Sequence, residues 1–435
     1  MKSFFTALAI LTAIQIAHAQ TEVEPTPVPV KVVVTDSTPT TKLDTTVRPR
    51  VSPTPIVVGA SQERVLRPEP NQETPPPTPV SQDVPSPSAG PQINTLPSLT
   101  FGQIKSKIAE AKRQLQSRPL ATASLEGTAP TDYVRIAFND SRTDRIDYVV
   151  LSKEAFLSTV SEKFLSSEAG RQLRVKTIRG NGVNTPISIT DSAGVPQLPL
   201  MVQYPVVRNG KYMETAYYMS THPGLITAEV VNAGRYYVRN VIEIARERLR
   251  EKGIVIQPKL ADIAERLATV EHVDHWRFRN EYHADIYNDI FTLYALNEGQ
   301  TYRYSVSSAG AGGMVQMIPS TYRMVRSWHP NVPLIPDFVE GMRNHVNATQ
   351  AMLLYMQRTW NDLIASPTVA NAYSSGIASQ EQLMAAGYNS NPARLAGYIN
   401  RAGESWTSLI PRETKVYLQI YDSLEKHVPM TPRPR

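Results

Sequence analysis

The 435-residue chain contains no cysteine. That absence excludes disulfides, thiolate nucleophiles, cysteine–zinc centres and a lipid-modified N-terminal cysteine. Long apolar runs are scarce as well: beyond the stretch Phe4 to Ile16, no segment approaches the length that spans a bilayer. Charge of one sign is only slightly in excess, 45 Lys and Arg against 39 Asp and Glu, giving a formal net charge of +6. No dense basic stripe with interleaved aromatics accompanies it, so nucleic acid is not an expected partner. A modest basic excess favours anionic surfaces instead. The 41% hydrophobic and 8% aromatic content suffices for two ordinary domains plus unstructured sequence.

What is present is ordered along the chain. Residues 1–19 read as a secretory signal: Lys2 supplies the positive region, Phe4 to Ile16 the apolar one, and Ala17-His18-Ala19 the cleavage site. The expectation is an exported protein, periplasmic or secreted, cleaved after Ala19 and without stable membrane insertion. Residues 20–98 are dominated by Pro, Thr, Val and Ser, as in Pro75-Pro76-Pro77-Thr78-Pro79. Such composition buries too little apolar surface to offset chain entropy, and it reads as a disordered tether.

Residues 99–225 change character. A helix is expected over Gly102–Gln116, strands over 133–138 and 146–151, and a helix over Glu154–Leu173 from the fourfold spacing of Phe156, Val160 and Phe164. Asn209-Gly210 between two extended runs signals a hairpin, with Pro205 placing its first strand at an edge. This is a small α+β domain without a recognisable catalytic constellation; a cell-wall protein partner is suggested by its position alone. From 226 to 435 the pattern is helical. Val230, Val231, Tyr236, Tyr237, Val241, Ile242 and Ile244 stripe one long helix, and Tyr417, Ile420, Tyr421 and Leu424 stripe the last. The fold class is therefore α+β, mostly helical toward the C-terminus. His272, His275 and His283 lack an HExxH frame, so neither a metal nor another cofactor is expected.

Within the helical part, the stretch Asp285 to Ser320 carries the chemistry. Ile286, Ile290, Leu293 and Tyr294 form an apolar stripe, and Glu298 lies four residues beyond Tyr294 on the same side. Gly299 follows as a helix stop. A carboxylate at such a closing turn is hard to ionise, the state that a general acid needs. Ser307-Ser308-Ala309-Gly310-Ala311 and Gly313-Met314-Val315-Gln316-Met317-Ile318-Pro319-Ser320-Thr321 come next, and the glycines let backbone approach a ligand closely.

These residues resemble the signature of the soluble lytic transglycosylases: a glutamate, S-x-A-G-A about nine residues later, then G-L-M-Q-x-M-P-S-T. Ala385-Ala386-Gly387-Tyr388-Asn389 is similar to that family's A-A-Y-N segment, and Pro411-Arg412-Glu413-Thr414 with Tyr417 to its P-x-E-T-x-x-Y segment. Gly299 stands where the family has serine, and Ser390-Asn391 where it has Ala-Gly. The resemblance covers the last third of the chain and implies a lysozyme-like domain that cleaves peptidoglycan between N-acetylmuramic acid and N-acetylglucosamine. It implies Glu298 as the catalytic acid and base, with the muramoyl C6 hydroxyl as nucleophile and a 1,6-anhydro sugar as product. Ser307, Gln316 and Met314 would bind substrate, Tyr388 and Asn389 would orient the acid or the sugar, and Tyr417 would face the cleft. A lysozyme-type hydrolase of the same bond and a non-catalytic peptidoglycan-binding protein are the alternatives.

Overall fold

The computed structural model describes Leu96 and residues 99–118 and 130–434. The expected signal peptide, and the tether apart from Leu96, lie outside them. Helix α1 (Phe101–Gln116) opens on a capping box: Thr100 accepts from the Gln103 amide while the Gln103 side chain accepts from the Thr100 amide. Seven strands follow: β1 (Tyr133–Asp140), β2 (Arg145–Ser152), β3 (Lys163–Ser166), β4 (Gln172–Thr177), β5 (Ile187–Asp191), β6 (Pro196–Arg208) and β7 (Lys211–Tyr218). All paired neighbours are antiparallel, in the order β2-β1-β6-β5-β4-β3, with β7 also on β6. The sheet curls back on itself, since the Glu168 amide just past β3 donates to the Tyr148 carbonyl of β2 at 2.8 Å.

Alternation along β1 explains why this sheet is buried on both faces. Val134, Ile136 and Phe138 enter the large core, whereas Ala137 packs with Ile104, Ile108, Ala111 and Leu115 of α1. The hairpin forms as expected, with Asn209 and Gly210 both at positive φ (50° and 74°) between β6 and β7. β6 is central rather than an edge strand. Its pairing with β1 ends at Gln203, however, so Pro205 has a partner strand on one side only, where its missing N–H is tolerated.

The helix expected over Glu154–Leu173 does not form. Lys153–Leu157 makes one short helix, and the chain then extends into β3 and β4. Of the three residues that suggested the stripe, Phe156 is buried while Val160 is 92% and Phe164 78% exposed. Among the described residues nothing packs on that side to reward helical phase. Gln172–Thr177 instead alternates buried and exposed as a strand should.

The longer helices of the second half are α2 (Ala228–Arg250), α3 (Pro258–Val270), α4 (His283–Asn297), α5 (Pro319–Trp328), α6 (His345–Ile364), α7 (Gln380–Asn389) and α8 (Arg412–His427). Helix α4 is buried nearly all round and lies against α2, where Gly234 leaves room for the Phe291 backbone; a Cβ there would overlap its carbonyl oxygen. In α2, Tyr236 and Ile244 face solvent, contrary to the stripe assigned to them, and Val238 and Ala245 are buried in their place. The four residues assigned to the last stripe, Tyr417, Ile420, Tyr421 and Leu424, are all buried in α8. The capping box at Ser379 and Gln382 is present. One hydrophobic cluster runs from Val134 and Phe138 of the sheet to Tyr421 and Leu424 of α8, crossing the boundary expected near residue 225. No described helix is long and apolar enough to cross a membrane.

Candidate active site

Helix α4 ends at Asn297, and Glu298 then takes a positive φ of 40°. Projecting the helix one residue further, as the Tyr294 spacing invites, is therefore wrong. The left-handed turn falls on Glu298 itself rather than on Gly299, and it swings the side chain off the apolar face. The carboxylate is 55% exposed and ion-paired with Lys105 of α1. The poorly solvated environment expected for it is absent.

That environment surrounds a different glutamate. Helix α3 closes on Glu271 with ordinary right-handed backbone (φ −57°, ψ −16°), so the side chain keeps its helical phase and stays inside. Glu271 is 6% exposed, and the Tyr417 hydroxyl of α8 donates to its Oε1 at 2.6 Å. Burial pushes its pKa up to about 8; the Tyr417 hydrogen bond opposes that rise, and the nearby Glu413 carboxylate adds to it. Glu413, in the first turn of α8, is itself raised by burial. Two carboxyl groups thus share one poorly hydrated region, and Glu271 keeps its proton at neutral pH.

The glycine-rich loop packs on the same helix end. The His272 ring, held neutral because burial lowers its pKa to about 3, bonds through Nε2 to the Met314 carbonyl at 2.9 Å. An imidazole facing a carbonyl oxygen must carry its proton on that nitrogen. The Tyr388 hydroxyl of α7 donates to the adjacent Val315 carbonyl at 2.7 Å. Gln316 sits at φ 47°, strained for a residue with a side chain, and its Nε2 donates to Gly313 at 2.8 Å. Among the described residues its buried Oε1 has no partner. Gly313 at φ 72° is required twice over, since a Cβ there would also lie 2.6 Å from the Met342 carbonyl oxygen. An unpaired amide oxygen held in a strained turn is a ready acceptor for a ligand N–H or O–H.

Tyr417 therefore bonds Glu271, and Tyr388 lies close enough to feel its charge. Tyr417 is wholly buried rather than cleft-facing. Met314 is a core residue. Ser307 closes its own turn, accepting from the Ala311 amide at 3.0 Å, and Asn389 ends α7 beside Tyr388. His283 stacks on Phe278 and bonds Ser423, away from His272. Among the described residues no group of three or more potential ligands is arranged to hold a metal. Glu271 carries a signal that is readable in the sequence. It follows the Leu260–Val270 helix four residues after Leu267, the same relation that drew attention to Glu298.

No protein-family model, no curated protein and no solved structure matches this chain.

Proposed function

We propose that the chain is a peptidoglycan lytic transglycosylase with a lysozyme-like helical half, in which Glu271 is the general acid and base. The observation that carries this reading is a glutamate whose burial raises its pKa to about 8, backed by residues from two of the motifs that resemble the family, Tyr417 and Tyr388. Because Oε1 accepts from Tyr417, the proton belongs on Oε2. It passes to the glycosidic oxygen as the C1–O bond breaks. The carboxylate left behind, stabilised by the Tyr417 hydroxyl, then takes the proton of the muramoyl C6 hydroxyl as that oxygen closes on C1. The acid is restored, the product is a 1,6-anhydro sugar, and no water is consumed. A nucleophile already attached to the substrate makes a second catalytic carboxylate unnecessary.

Motif spacing favours Glu298 as the acid, whereas environment favours Glu271. Digestion of purified sacculi by Glu271→Gln and Glu298→Gln decides between them, with mass analysis of the ends. Anhydro ends lighter by one water mark transglycosylation, and reducing ends mark a hydrolase. Full activity in Glu271→Gln would remove the mechanism; no cleavage by the parent chain, with sacculus binding retained, would leave a non-catalytic wall binder. Export to the periplasm or beyond fits the same reading.

A further inference from the structure

Backbone strain is concentrated in the loop that joins α4 to α5. Of the five described residues other than glycine at positive φ, three lie in it: Glu298 (40°), Tyr302 (55°) and Gln316 (47°). Left-handed backbone is costly for residues with a side chain, and it persists only where the surroundings over-determine it. Two imidazoles from outside the loop supply that constraint. His272, just past α3, bonds the Met314 carbonyl and lies flat on the Tyr302 ring, with centroids 3.5 Å apart and planes at 13°. His345, the first residue of α6, donates from Nε2 to the Thr301 carbonyl at 2.9 Å. Its Nδ1 therefore accepts from the Tyr237 hydroxyl of α2 at 2.8 Å. Burial keeps both rings neutral, lowering His345 to about 4 as it lowers His272 to about 3. Each ring thus serves the loop as a neutral N–H donor.

We propose that His272 is a positioning residue: its Nε2–H ties the glycine-rich turn, at Met314, to the closing turn of α3, so that this turn and the Glu271 carboxyl move together. His272 is one peptide bond from Glu271. Tyr388, which takes the next carbonyl at Val315, also neighbours that carboxyl. Two successive carbonyls of the turn are thus held by side chains beside the candidate acid, while His345 holds the start of the loop. Losing the His272 donor would leave the Met314 carbonyl buried and unpaired next to the strained Gln316. The value of this hold for catalysis rests on the function proposed above; the hold itself does not.

Three substitutions in the full chain test this. His272→Gln keeps an amide N–H at the place of Nε2, His272→Asn places it short of Met314, and His272→Leu removes it. Hydrogen exchange at the Gly312 and Gly313 amides, which bond the Met317 and Ser305 carbonyls, reads opening of the turn without any substrate. In His272→Leu and His272→Asn, exchange there should quicken about tenfold or more relative to β1, and sacculus cleavage should fall about tenfold. His272→Gln should stay within about threefold of the parent in both. If His272→Gln opens the turn as the other two do, stacking on Tyr302 is the only role of the ring, and the proposal is overturned. Unchanged exchange in a folded His272→Leu or His272→Asn overturns it too. Nitrogen NMR of the labelled parent chain guards against variants that do not fold: the Nε2–H tautomer at His272 supports the hold, and the Nδ1–H tautomer overturns it. Glu271→Gln separates the two readings. Cleavage retained in that variant removes the proposed acid and leaves the exchange contrast standing, whereas cleavage lost there with no exchange contrast among the His272 variants removes only the hold.

Discussion

Helices α3 and α4 both finish on a glutamate that apolar spacing would bury, yet only one is buried. At Glu271 the backbone stays right-handed, so the carboxyl remains on the face shared with Leu267 and Ala264 and meets Tyr417. At Glu298 the helix has already stopped, φ is positive, and the carboxyl turns out to Lys105. Hydrophobic periodicity fixes phase only while helical geometry continues. At a closing turn the sign of one backbone angle decides whether a side chain faces core or solvent. A carboxylate in the first setting holds a proton at pH 7, and in the second it is a solvated ion-pair member.

The largest expected effect tests that contrast by activity. Glu271→Gln should lower sacculus cleavage by about 10³-fold or more, because it removes the proposed proton donor, while Glu298→Gln should stay within a few-fold of the parent. Reversed results would return the role to the exposed residue. The next effect is on stability against pH. A carboxyl with a pKa near 4.5 when unfolded and about 8 when folded holds its proton longer in the native state. Between those values the native state binds more protons, so stability falls as pH rises, on the order of 1 kcal/mol per unit, and levels off above about 8. Denaturant melts from pH 4 to 9 should show this slope and its flattening in Glu271→Gln; equal slopes would mean that Glu271 ionises in the folded protein as it does in the unfolded chain.

A smaller effect isolates Tyr417. Tyr417→Phe removes the hydroxyl that stabilises the ionised form of Glu271, so the alkaline limb of the activity profile should move upward in pH. Cleavage at pH 7 should fall about 10- to 100-fold, since the carboxylate produced by proton transfer loses its donor, and stability should drop by roughly 1 kcal/mol. An unmoved limb with slower cleavage would make Tyr417 a packing residue only.

Much of this architecture was legible in the sequence, and the failures share a physical cause. Helices α1, α3 and α8, the Asn209-Gly210 hairpin and the Ser379 capping box follow from local signals that tertiary packing left alone. The motif residues Tyr388 and Tyr417 are legible in the sequence, but their closeness to Glu271 is not, because it depends on how distant helices converge. Residues 154–173 defeat the periodicity argument because Val160 and Phe164 mimic a helical face while remaining exposed. Whether a stripe is rewarded depends on a partner surface that single-sequence periodicity cannot supply. Pro205 marks an edge only along the last part of β6, past the end of its pairing with β1, and not along the whole strand.

The smallest expected effect concerns the exposed member of the pair. Lys105 and Glu298 are 46% and 55% exposed, so water and salt screen their attraction, and pairs of this kind are worth between about 0.2 and 1 kcal/mol. Helix α1 is held instead by Ile104, Ile108, Ala111 and Leu115, buried against β1, β6 and the start of α2. Lys105→Ala should therefore lower stability by less than about 1 kcal/mol and less still in added salt, whereas Ile108→Ala should cost roughly 2–4 kcal/mol through the cavity it leaves. Lys105→Ala also frees the Glu298 carboxylate without touching Glu271. If cleavage then rose or fell by more than about threefold, the ion pair would be masking or positioning a working group, and the motif spacing would outweigh burial as the guide to the acid. Unchanged cleavage with Lys105→Ala places Glu298 among surface charges and leaves the closing turn of α3 as the reactive one.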